Sequence, residues 1–289
     1  MPQEEDGQKP FLTPDSIDAA IAALQKYRDE LRNAEARESD VLRLKQENPY
    51  FKKTGTKRLA EFFFEKGYFI QAIEHTARQN YKLAQQIWSG RPVTVDFIGQ
   101  FRKFSLKGEN RYPLADIGKT EKNTLKILCR EMAGKGWLRF REEDGDLIID
   151  AVTGEGKNYL SGYWAEDVTR HFIAKALQEN GFKSARVWQD IQLKRVGSAS
   201  GNACDMQLDC LVEVNDRIYI FEIKSGVNMC IDKWVDRARL FNTDPHRFIT
   251  CCMDEKLNYK IFLPYRLFYL PTLEKQFADL LKKDFGSPA

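Results

Sequence analysis

Apolar residues recur at alternating three- and four-residue spacings through Ile17, Ala20, Leu24, Tyr27, Leu31, Ala34 and Val41, with charged residues between them. That spacing puts one apolar stripe on a helix, and Thr13-Pro14-Asp15-Ser16 supplies its start. The stripe is narrow and broken by Glu38, which suits a helix docked on its own domain or a coiled coil joining two copies of the chain. Asn48-Pro49 ends it, because a residue before proline avoids helical backbone, and a basic loop follows over 52–58. Leu59, Phe62, Phe63, Phe69, Ile70, Ile73, Tyr81, Leu83, Ile87 and Trp88 then predict a helical hairpin turning at Gly67 and stopped by Ser89-Gly90-Arg91-Pro92.

From 93 to 149 the pattern shortens. A helix is expected over 95–104, and a second begins at Thr120 and runs through Leu125, Leu128, Cys129 and Met132 to Gly134 or Gly136. Trp137 to Arg141 and Leu147 to Asp150, separated by Asp144-Gly145, predict a two-stranded hairpin. Helix, helix, hairpin is the order of a winged helix, and the segment is similar to that broad class, which binds DNA or other proteins. Lys122 and Lys126, with Lys119 and Arg130, form a basic helix face, and Arg139 and Arg141 lie on the hairpin where phosphate contact is possible. The other reading is solvated charge on a connector or dimerisation module.

Residues 153–158 have the composition of a linker. Beyond them a helix is expected over 160–179, ended by Asn180-Gly181, then a strand over 185–193 and a polar loop over 197–202. The run Leu208-Asp209-Cys210-Leu211-Val212-Glu213-Val214, a turn at Asn215-Asp216-Arg217, and Ile218-Tyr219-Ile220-Phe221-Glu222-Ile223-Lys224 predict two apolar strands joined by a tight turn. Side chains alternate along a strand, so Glu222 and Lys224 share one face while Tyr219, Phe221 and Ile223 share the other. The hairpin brings Asp209 toward them. Charges within near-continuous apolar runs are costly unless paired or bound to metal, and two carboxylates are the hard oxygen donors that Mg2+ or Mn2+ takes. With a neighbouring ammonium to orient water or stabilise charge on phosphate, the set points to phosphodiester hydrolysis. Lys224 as a simple salt-bridge partner is the structural alternative.

Asp209 followed by Glu222-Ile223-Lys224 resembles the D...ExK signature of the restriction-endonuclease-like, or PD-(D/E)xK, nuclease superfamily. The triplet alone is a weak signal; the apolar strand around the aspartate and the turn between the strands strengthen it. The stretch from Gly162 through Gly226, including Gly201-Asn202, is similar to the nuclease domains of CRISPR-ancillary, cyclic-oligoadenylate-activated nucleases. Those relatives carry an N-terminal Rossmann-like sensor where this chain reads as helical. The resemblance covers roughly the last 130 residues. It implies a mixed sheet flanked by helices, a divalent metal held by Asp209 and Glu222, catalysis by these with Lys224, and Glu166 as the first-helix acid. It also implies prokaryotic or phage defence. Asp167 is expected on the exposed side of the turn that carries Glu166, and Asp205 and Glu213 are reserve acids. Ile231 to Leu240 predicts a helix whose Lys233, Arg237 and Arg239 contact nucleic-acid phosphate or form a solvated helix face, and Arg247 to Cys252 predicts a strand reached by a parallel crossover.

The expected class is therefore α/β (α+β overall): a tail over 1–12, a helical region over 13–90, a winged-helix-like domain over 91–152 and a nuclease-like domain over 157–289. A net charge of only +3 means that local patches, not bulk charge, carry any nucleic-acid contact. Six cysteines without CxxC spacing suit a reduced, cytoplasmic protein. The acidic N-terminus has no apolar leader and no stretch suits a membrane span. His171 and His246 lack a partner at zinc-ligand spacing. The expected partners are DNA, or RNA, and a second copy of the chain. A non-catalytic DNA-binding or scaffolding protein built on the winged helix is the alternative.

Overall fold

The computed structural model describes residues 14–73, 80–91, 93–101, 110–198, 203–225, 231–253 and 266–286, with the side chains of 14–17, 31–38, 40 and 231–233 outside the description. The chain divides into two compact units, one of residues 1–70 with 194–202 and one of 71–193 with 203–289.

In the first unit, α1 (Pro14–Glu47) stops before Asn48 as the proline predicts. Asn48 turns out in extended backbone and accepts the Tyr50 N–H at 3.0 Å, capping α2 (Pro49–Lys52). Leu24 is 67% and Tyr27 59% exposed, so part of the α1 stripe lies uncovered in a single chain. The core here is Leu59, Ala60, Phe62 and Phe63 of α3 (Lys57–Glu65), with Ile70.

The expected helical hairpin does not form. Gly67 adopts φ +81°, and the chain leaves α3 as a strand, β1 (Tyr68–Ile73). A left-handed residue cannot continue a right-handed helix, and Tyr68-Phe69-Ile70 is a β-favouring run. Asn48 Nδ2 donates to the Ile70 carbonyl, and the Val196 N–H donates to that of Gly67.

In the second unit, α4 (Tyr81–Ser89) and α5 (Val93–Phe101) precede β2 (Asn110–Tyr112), α6 (Lys119–Gly134), β3 (Leu138–Glu143) and β4 (Asp146–Val152). The three strands pair antiparallel in the order β2-β4-β3. Residues 102–104 of the first helix expected in this segment lie outside the described residues. Asp144 and Gly145 both take positive φ at the predicted hairpin turn.

Residues 154–179 form one continuous helical run rather than a linker and a helix. It comprises α7 (Gly154–Asn158), a π turn (Tyr159–Tyr163) and α8 (Trp164–Glu179). Thr153 starts it by accepting the Gly156 N–H, and Gly156 is needed because a Cβ there would come within 2.7 Å of the Trp137 carbonyl oxygen. Then come β5 (Arg186–Arg195), β6 (Met206–Val214), β7 (Arg217–Lys224), α9 (Ile231–Phe241), β8 (Arg247–Cys252), β9 (Arg266–Tyr269) and α10 (Leu273–Phe285).

The larger sheet has the order β1-β5-β6-β7-β8-β9, with β5, β6 and β7 antiparallel and β7, β8 and β9 parallel. This is the mixed sheet flanked by helices that the sequence predicts. Asn215 takes φ +52° at the β6–β7 turn. One sheet face (Cys210, Val212, Tyr219, Phe221, Ile223, Ile249 and Cys251) packs with α8 and α10 in a hydrophobic core that also takes in α4, α6 and β4. The other face buries Ile218, Ile220 and Phe248 with Trp234, Ala238 and Phe241 of α9, where Phe241 stacks on Phe248. Burying roughly a dozen large side chains, at about 1.5–3 kcal/mol each, is what holds the strand ends in place.

Candidate functional site

Asp209, Glu222 and Lys224 meet at the end of β6 and β7 remote from the hairpin turn. The two-strand ladder runs from Val214↔Arg217 to Cys210↔Phe221 and then stops. Past that point the Ile223 N–H donates to Asp209 Oδ2 at 2.6 Å, so a side chain takes the place of a ladder carbonyl. The alternation predicted from the sequence holds: Phe221 and Ile223 enter the core, while Glu222 and Lys224 turn to the other face.

Glu222 is 2% exposed, and both its oxygens are engaged. Lys224 Nζ donates to Oε1 at 2.9 Å and lies 3.7 Å from Asp209 Oδ2; Arg237 Nη1 donates to Oε2 at 2.8 Å and to the Gln207 carbonyl at 3.0 Å. Trp234 contacts both cations, its ring centroid 4.0 Å from Lys224 Nζ and 5.0 Å from Arg237 Cζ. Burial, then the charge of Asp209, pushes the Glu222 carboxyl up to about 7 against the opposing pull of Lys224 and Arg237.

Glu166 arrives from the first turn of α8. The Ser225 hydroxyl donates to the Ser161 carbonyl at 2.8 Å, joining the end of β7 to the π turn just before that helix. Burial first, then repulsion from Asp209 and Asp190, pushes the Glu166 carboxyl up to about 9, with Lys224 pulling the other way. Glu166 thus shares one electrostatic environment with Asp209 and Lys224. π turns of this kind recur inside α-helices at functional sites.

Asp167 corrects an expectation. It is buried rather than exposed: Arg170 Nη2 donates to its Oδ1, the Tyr159 hydroxyl lies 3.3 Å from its Oδ2, and Arg170 Nη1 donates to Gln189 of β5. Its carboxyl is pushed up to about 6, by burial first. Asp167 therefore holds the Arg170 that ties α8 to β5, and Glu166 is the acid of this turn that feels Asp209 and Lys224.

Two residues carry more of the site than the sequence suggests. Asp190 sits between the paired residues Gln189↔Cys210 and Ile191↔Leu208, opposite Asp209, with φ +47°, and accepts a hydrogen bond from Gln207 Nε2 at 3.0 Å. Only its place in strand alternation could have signalled it, since no glycine marks the distortion. Arg237, expected on phosphate, is bonded to Glu222 instead; its i,i+3 spacing from Trp234 was the available signal.

The remaining candidates lie elsewhere. Glu213 pairs with Arg186 nearer the turn end of β6, and His246 Nδ1 accepts the Ile218 N–H. Arg239 is exposed and 3.5 Å from Asp236. Lys126 pairs with Glu142 at 2.5 Å, Arg139 is exposed and Lys122 is half-buried on α6. The side chain of Lys233, and Gly201, Asn202, Gly226 and Cys230, lie outside the described residues.

Among the described residues no three His, Cys, Asp or Glu side chains are gathered in metal-holding geometry. The donor set still fits a hard divalent cation. Asp209 and Glu222 are carboxylates on one sheet face, the hard oxygen donors such an ion takes, and the repulsion from Asp209 that adds to burial in raising both Glu166 and Glu222 is what it would relieve.

No protein-family model and no curated protein matches the sequence. Among solved structures the chain is similar to protein VC1899 from Vibrio cholerae, with a TM-score of 0.52 and 15% identity over 79% of this chain and 62% of that one. It is also similar to Can2 from Sulfobacillus thermosulfidooxidans in complex with cyclic tetra-adenylate, with a TM-score of 0.49 and 11% identity over 76% of this chain and 59% of that one. The chain spans less than two thirds of the length of either protein, and its likeness to VC1899 is one of fold.

Proposed function

We propose that this chain is a metal-dependent nuclease that hydrolyses phosphodiester bonds, with DNA preferred over RNA. The observation that carries the reading is the convergence of Asp209, Glu222 and Lys224 at a ladder end, beside a helix that brings Glu166. Asp209 and Glu222 would hold Mg2+ or Mn2+, with Glu166 completing the acidic set. When bound, the ion lowers the pKa of water and neutralises the scissile phosphate. Lys224, with donors aimed at both acids, orients the attacking water and stabilises charge on the phosphoryl oxygens. Trp234 packs against the ammonium of Lys224 and limits its excursions.

Backbone contact falls to cations outside this site. Arg239, Arg139 and Lys122, with Lys126 once released from Glu142, would follow the phosphates and make binding steeply salt-dependent. The uncovered stripe of α1 would join two copies, letting two sites address two strands. The resemblance of 162–226 to CRISPR-ancillary nucleases supports a role in prokaryotic or phage defence.

One observation favours a non-catalytic DNA-binding or scaffolding protein: two cations already neutralise Glu222. Incubating plasmid DNA and single-stranded RNA with Mg2+ or Mn2+, alongside Asp209→Ala and Lys224→Ala, separates the readings. Cutting that disappears in both variants while binding persists supports the nuclease; no cutting by any form supports the scaffold.

A further inference from the structure

Arg237 stands where a divalent cation would have to approach Glu222. Its Nη1 lies 2.8 Å from Oε2, and the other oxygen, Oε1, holds Lys224 at 2.9 Å. A carboxylate oxygen donating its lone pair to a guanidinium has less to give a metal, so an ion approaching Oε2 must displace Arg237 or share the oxygen with it. The competition is built into the fold. Arg237 is held by a second acceptor, the Gln207 carbonyl on β6, and by Trp234 one turn before it on α9. Its side chain is 11% exposed, so little water softens the pairing.

The arginine also has somewhere else to go. A guanidinium that pairs with a carboxylate has the same two-pronged match to a phosphate, with which Arg forms equally strong charge-assisted bonds. A nucleic-acid phosphate reaching the site offers such a partner, while the divalent cation replaces the positive charge that Glu222 loses.

We propose, building on the nuclease reading, that Arg237 is an exchangeable counterion that couples metal loading to substrate binding. It occupies Glu222 in the empty enzyme and transfers to a substrate phosphate as the metal takes its place. Metal and nucleic acid then bind with positive cooperativity, and because coupling between two ligands is reciprocal, each tightens the other by the same factor. The empty enzyme holds metal weakly, and free metal alone does not arm it. Arg237 is a positioning residue here and takes no proton in the reaction.

Isothermal calorimetry with Mn2+ on the full chain tests this, with and without a short phosphorothioate DNA duplex that resists cleavage. In the wild type the duplex should tighten Mn2+ binding about tenfold or more, within the usual range of coupling. In Arg237→Gln, Mn2+ alone should already bind about tenfold tighter than to the wild type, with the duplex adding little. Glu222→Gln should lose the site in both conditions. Arg237→Lys keeps the charge without the planar guanidinium that serves Glu222 and Gln207 together, and gives the same comparison with a smaller gain if Arg237→Gln unfolds. Equal or weaker Mn2+ affinity in both Arg237 variants, or an unchanged response to the duplex, overturns the exchange but leaves the nuclease reading standing as long as Glu222→Gln abolishes binding. No Mn2+ binding by any form, with or without duplex, overturns both.

Discussion

Asp209 accepts the backbone N–H of Ile223 at 2.6 Å, just where the β6–β7 ladder has ended. The acid from one strand is thereby locked to the strand that carries Glu222 and Lys224, and its substitutions separate chemistry from architecture. Asp209→Asn keeps an oxygen for that N–H and should leave stability within about 1 kcal/mol while abolishing cleavage. Asp209→Ala orphans the amide and should cost about 1–3 kcal/mol. Urea unfolding beside plasmid cleavage measures both, and an Asp209→Asn protein that cuts normally would remove Asp209 from the mechanism.

Lys224→Met keeps the stem over Trp234 and deletes the ammonium that serves Glu222 and Asp209. Cleavage should fall by about 10²-fold or more, the scale on which a single charge-stabilising donor acts. DNA affinity, measured by fluorescence anisotropy, should change only a few-fold. A parallel loss of binding and cutting would make Lys224 a substrate anchor instead.

The metal-free protein should lose stability as pH rises. Glu166 moves from 4.5 to about 9 and Glu222 from 4.5 to about 7, so between these limits the folded state holds more protons than the unfolded chain. Stability is fully present below 4.5 and is lost as pH climbs through the folded values. Melting temperatures from pH 5 to 9.5 should therefore decline in the wild type, and Glu166→Gln should flatten the alkaline part. A variant that declines as steeply as the parent contradicts the assignment.

Asp284 offers a control far from the chemistry. Its side chain is 5% exposed and gathers Arg217 at 3.0 Å, Arg247 at 3.7 Å and the Tyr219 hydroxyl at 2.9 Å, tying α10 to β7 and β8. Asp284→Ala removes this shared acceptor from the half-buried Arg217 and from the Tyr219 hydroxyl and should destabilise by about 1–3 kcal/mol in denaturant. Cleavage per folded molecule should persist at low temperature.

Much of the site was legible because strand alternation is strict. Once Leu208 to Val214 and Ile218 to Lys224 are strands joined at Asn215, Asp209, Glu222 and Lys224 must share a face. What escaped was everything set by tertiary pairing. Tyr68-Phe69-Ile70 fits a helical spacing as well as a strand, and Gly67 at φ +81° decides between them. Asp190 looks like any polar strand position, since its backbone distortion has no local chemical marker. Arg237 and Asp167 read as solvent-facing charges because their partners, Glu222 and Arg170 with Gln189, are chosen by packing.

The π turn at Tyr159–Tyr163 has a consequence for how this helix tolerates length change. An α-helix advances about 100° per residue, but a π turn spends about one residue more on each circle, so deleting one residue there and restoring regular winding would leave Glu166 facing nearly the same way. Val168, Ile173 and Leu177, which now plug the core, would keep their facing with it. The five-residue wide coil is a spare link: the segment before it is tuned to Trp137, the segment after it to the sheet, and a single codon lost within it would leave the two in phase, whereas one lost from α8 itself would detune the sheet-facing side.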